Sequence, residues 1–117
     1  MSIAVSSLVE ALRKGVPMVV RTTAASNDYL EGVFSRQDLK RCHDLLSETL
    51  GPPMKDFGEV PAFSREVSRV VNQIGGIRVE QCLFFKAGEQ GQVFFAALWP
   101  WASDPTRITL KVGVLQG

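Results

Sequence analysis

One histidine, one tyrosine and two cysteines in 117 residues leave little raw material for metal or nucleophilic chemistry. His43 is the only imidazole, so a conventional Ser-His or Cys-His enzyme would have to use it. Its neighbour Cys42 projects about 100° away around a helix, which does not suit a side-chain dyad. Cys42, His43 and Cys82 supply at most three ordinary zinc ligands, two of them adjacent, and no C-x-x-C or H-x-x-x-H spacing occurs. No structural metal and no cofactor is therefore expected. Dinucleotide and phosphate loops and the G-x-S-x-G elbow are missing too, which removes the usual anchors for hydride, phosphoryl and acyl chemistry.

Long apolar runs are also lacking. No segment nears the roughly 18 continuous apolar residues of a membrane span, and Glu10, Arg13 and Lys14 interrupt the N-terminal apolar residues before export-signal length. The expectation is a soluble, cytoplasmic protein with both cysteines reduced. Neither charge dominates: thirteen Lys and Arg against twelve Asp and Glu leave a formal +1. Such a balance creates no global field towards nucleic acid or anionic lipid, so neither is expected as a partner.

What the chain does contain is the apolar fraction of an ordinary globular domain, 45%, and clear periodicity. Residues 1–117 read as one α+β domain. Ile3, Leu8, Val9 and Leu12 give a helix over 3–14, stopped by Gly15 and Pro17. The β-branched stretch from Pro17 to Thr23 reads as a strand, Ser26-Asn27-Asp28 as a turn, and residues 29–34 as a second strand weakened by Gly32. Ser35 precedes a helix over 36–50 whose Leu39, Cys42, Leu46 and Leu50 form a stripe, ended by Gly51-Pro52-Pro53. A second capped helix over 64–75 buries Val67, Val70, Val71 and Ile74 and stops at Gly75-Gly76.

From Ile77 the period changes to two, which predicts a three-stranded antiparallel meander over 77–115. Ile77, Val79, Leu83 and Phe85 form the core face of its first strand. Gly88-Glu89-Gln90-Gly91 makes a hairpin loop; its G-x-x-G form does not suit phosphate, because Glu89 would repel it. Val93 to Trp99 is apolar throughout, as in a central strand. After Asp104-Pro105, Ile108, Leu110, Val112 and Val114 alternate with polar residues, as in an edge or near-edge strand. The element order, α-β-β-α-α-β-β-β with a mainly antiparallel sheet, resembles the broad topology of PAS-like and profilin-like domains, and that resemblance is one of topology only.

Three functional readings follow. Phe84, Phe94, Ala96 and Leu98 share the second face of the meander, which is left exposed unless the N-terminal helix or another molecule covers it. The pair Trp99 and Trp101, separated by proline, and Arg107 across the turn add an aromatic and cationic surface. The leading reading is thus a protein-interaction or homodimerisation module with candidate contacts Phe84, Phe94, Leu98, Trp99, Trp101 and Arg107. The second is a small-ligand or sensory domain with a cavity lined by Leu83, Phe85, Phe95 and Trp99. The third is an enzyme without a recognisable motif that gathers Asp28, Glu31, His43 or Arg107. The basic side chains Arg36, Lys40, Arg41, Arg65 and Arg69 interleave with acids and read as solvated helix faces.

Overall fold

Leu8, Val9 and Leu12 fall on one side of helix α1, Val5–Gly15, and all three are buried. The computed structural model describes residues 5–21, 29–88 and 91–116, so Ile3 and the expected turn at Ser26 to Asp28 lie outside the described residues. Strands β1, Met18–Val20, and β2, Tyr29–Ser35, pair antiparallel, with Val20 opposite Gly32. Gly32 does not interrupt β2. The Met18 thioether crosses above it, and a Cβ at Gly32 would come within 2.8 Å of that sulfur.

The Ser35 hydroxyl accepts from the Gln37 N–H at 3.4 Å and starts a short 3-10 turn over Arg36–Asp38, which leads into helix α2, Leu39–Leu50. Cys42, Leu46 and Leu50 form its buried stripe, and Gly51 ends it at φ 84°. In helix α3, Arg65–Gln73, the Ser64 hydroxyl accepts from the Val67 N–H at 3.3 Å. Val70 and Val71 are its buried residues, and Gly75 and Gly76 stop it in the left-handed region.

The period-two pattern from Ile77 is not strand from its start. The chain turns over residues 77–81, and β3 spans Cys82–Ala87. The cause is Lys55, a buried lysine whose ammonium donates to the carbonyls of Arg78 at 2.7 Å, Val79 and Gln81. Three carbonyls converging on one ammonium curl the segment, and Arg78 and Gln81 close the curl with N–H contacts of 2.7 and 3.0 Å. Ile77 still enters the core, whereas Val79 is thrown outward and is exposed. The backbone around Lys55 also bridges to Leu83, which partly pairs the outer edge of β3.

Strands β4, Gln92–Pro100, and β5, Arg107–Gln116, complete a five-stranded antiparallel sheet of order β1-β2-β5-β4-β3. β5, expected at or near an edge, is the central strand. Its polar alternation reports which face is covered rather than where it sits in the sheet. Proline at position 100 does not end the pairing, because the Trp101 N–H donates to the Arg107 carbonyl at 3.0 Å.

One face of the sheet, carrying Leu30, Phe34, Cys82, Phe84, Phe94, Ala96, Leu98, Ile108, Leu110 and Val112, is buried in one cluster with α1 and α2. On the opposite face, α3 packs over Leu83, Phe95 and Ala97. That helix covers only the β3 and β4 half. The β1, β2 and β5 half carries Val19, Arg21, Glu31, Val33, Arg107, Thr109 and Lys111, all exposed or half-buried, and among the described residues no helix lies over it. No helix among the described residues is long and apolar enough to cross a membrane.

Candidate functional site

The open half-face is organised by Trp101. Just past the end of β4, its indole N–H donates to the Thr109 hydroxyl at 2.8 Å, which ties the ring to β5. Two guanidinium groups lie over the ring, that of Arg21 at 5.6 Å from the centroid and that of Arg107 at 5.4 Å. The Asp104-Pro105 turn holds the second of these: Asp104 accepts from the Thr106 N–H at 3.1 Å and hydroxyl at 2.6 Å, and it lies 3.4 Å from Arg107 Nε. Those Thr106 hydrogen bonds, with a smaller contribution from Arg107, hold the Asp104 carboxyl below the usual range. Arg36 reaches the same turn, donating to the Pro105 carbonyl at 3.3 Å. Arg21, Trp101, Thr106 and Arg107 line an open groove of about 600 Å3 together with Val19, Val33, Phe34 and Ser35.

Beside the groove, Lys111 lies 4.0 Å from the centroid of the Trp99 ring and 3.9 Å from Glu31. Tyr29 donates to Glu31 at 3.0 Å. Burial first, and the Glu31 carboxylate second, push the Tyr29 phenol up to about 12. The folded chain keeps this proton after the unfolded chain has lost it, so folding stability falls as pH rises from about 10 to about 12. Because Tyr29 is the only tyrosine, its phenolate absorbance reports one group: the native protein should titrate near pH 12 and the unfolded chain near 10.

The structure divides the sequence candidates between the two faces. Trp99, Trp101 and Arg107 belong to the open side, where Trp99 is half-buried beneath Lys111 and against Gly75. Its indole nitrogen is buried and has no hydrogen-bond partner among the described residues. Phe84, Phe94 and Leu98 are not surface groups: α1 and α2 cover them, and none is more than 5% exposed. Leu83 and Phe95 are buried in the cluster under α3. Phe85 borders a smaller groove of about 380 Å3 between α3 and the β3-β4 hairpin. Glu31 and Arg107 share the open side, His43 stands on α2 across the sheet, and Asp28 lies outside the described residues, so the enzyme quartet is not brought together. Arg21 was missed in the sequence, since its only signal is its place one residue beyond β1.

A second group of chemical interest lies on the helix-covered side. Ligand atoms of His43, Asp56 and Cys82 all fall within 4.8 Å of one another. His43 Nε2 is 3.6 Å from Asp56 Oδ1, and the Cys82 thiol donates to the same oxygen at 3.7 Å. Cys42 is fully buried and its thiol is pushed up to about 12 by burial, so it is an inert core group.

Comparison of the chain with protein-family models, with curated proteins and with solved structures finds no match. The likeness to PAS-like and profilin-like domains thus stands on element order alone, and function has to be argued from the two groups of side chains above.

Proposed function

We propose that this protein is a protein-interaction module that docks an extended, acidic segment of a partner on the open half of its sheet. The observation that carries this reading is Trp101 with Arg21 and Arg107 over its ring. A guanidinium stacked on an indole keeps its in-plane N–H donors for carboxylates, so the groove combines a flat apolar contact with directed anion recognition. The edge strand supports an extended partner: among the described residues β1 pairs on one side only, with β2, and Val19 and Val20 are 70% and 41% exposed. Among the described residues, neither helix layer competes for this face.

The test is binding of a hexaglutamate peptide bearing one aromatic residue, followed by tryptophan fluorescence. Binding that weakens with added salt is expected. Trp101→Ala should weaken it about 30-fold, the ~2 kcal/mol of an interface hot spot, and Arg107→Glu should abolish its preference over a lysine peptide. Equal affinity for both peptides, or no effect of Trp101→Ala, overturns the reading. The groove also has the size of a small-molecule site. Saturable binding of aromatic carboxylates with no peptide binding would identify it as such, and concentration-dependent self-association lost with Trp101→Ala would make the partner a second copy.

A further inference from the structure

His43, Asp56 and Cys82 come from three separate elements: the second turn of α2, the loop after it, and the first residue of β3. A tetrahedral zinc ion bound by one nitrogen, one oxygen and one sulfur separates those atoms by about 3.3–3.6 Å, given bonds of 2.0–2.3 Å. The observed 3.6 Å between His43 and Asp56 and 3.7 Å between Cys82 and Asp56 are already close to this. We propose that these three side chains bind a single divalent ion of the zinc type, with the fourth position filled by water.

Further features support this site. His43 Nδ1 lies 3.5 Å from the Ser47 hydroxyl one helical turn on, a contact that fixes the ring and leaves Nε2 for the ion. Phe84 meets the ring edge-on at 5.1 Å and restricts it further. The ligand set is one imidazole, one carboxylate and one thiolate, which suits zinc or cobalt and not the hard cations magnesium and calcium. Charge also balances, because one carboxylate and one thiolate neutralise a dication. Cys82 is fully buried, whereas the side chains of His43 and Asp56 are 26% and 46% exposed, so an ion enters from the solvent side and keeps a water there.

The Cys82 thiol donates its proton to Asp56 Oδ1 at 3.7 Å. Coordination replaces that proton with a metal–sulfur bond and releases it to solvent. The experiment is titration of the full chain with Co2+, followed by displacement with Zn2+. One equivalent should produce a thiolate-to-cobalt charge-transfer band, and zinc should abolish it while releasing no further proton. Cys82→Ala should remove the band, and His43→Gln, at a half-exposed position that leaves the core intact, should weaken zinc binding at least about 100-fold. Cys42→Ala should leave the band in place. Ser47→Ala should weaken binding about 10-fold through the ring's orientation alone. Absence of the band, its survival in Cys82→Ala, its loss in Cys42→Ala, or unchanged zinc affinity in His43→Gln overturns the proposal.

Discussion

Phe84→Ala is expected to cost about 3–5 kcal/mol of folding stability, read as a lower denaturant midpoint with an unchanged slope. Phe84 is fully buried where α2 meets the sheet, in contact with the His43 ring and in one cluster with Cys42, Leu46 and Leu98. Truncating it leaves a void in a layer closed on both sides, and a domain with about 5–15 kcal/mol in total has little margin for that. The neighbour Phe85 points to the opposite face and borders a groove, so Phe85→Ala should cost less than half as much. Were Phe84 instead part of a docking surface, its truncation would change association and leave stability nearly intact. The two measurements together therefore decide which face of the meander is interior.

Lys55→Met should cost about 2–4 kcal/mol, although methionine is more apolar and similar in length. The reason is the trio of carbonyls at Arg78, Val79 and Gln81, which point at the ammonium and would lose their shared donor. Burial lowers the pKa of this amine, against the opposing pull of Cys82, Glu59, Glu80 and Asp56, and the carbonyl cradle keeps a charge in place despite that burial. The full desolvation penalty is not expected, since Arg78 and Val79 are exposed and water can reach their carbonyls once the turn relaxes. Hydrogen exchange should locate the damage: amides of residues 78–83 should exchange faster, with those of β5 unchanged relative to global stability.

The helices were legible in the sequence because each is local. The stripe Leu39, Cys42, Leu46 and Leu50 and the stop at Gly51 need only neighbours three or four residues away, and α2 follows them. The antiparallel sheet was legible as well, and Gly32 gave a false warning because the Met18 side chain that shields it arrives from another strand. What the sequence concealed was set at long range. Ile77 to Gln81 alternates like a strand and is curled by a lysine more than twenty positions upstream. The alternation of β5 has two physical causes that look alike in one dimension, an edge position or a half-covered face, and here it is the second. The candidate groove was half visible through Trp101 and Arg107. Arg21 and the convergence of His43, Asp56 and Cys82 depend on register and loop path, which periodicity does not encode.

The place of β5 also bears on how the chain is made. It is the last of the five strands to leave the ribosome, yet it forms the centre of the sheet, pairing with β2 from Tyr29↔Gly113 to Ser35↔Arg107 on one side and with β4 on the other. Until it emerges, the β1-β2 pair and the β3-β4 hairpin are separate fragments, each presenting an unpaired inner edge. Closure of the sheet therefore waits for its last strand and joins segments distant in sequence, which slows folding.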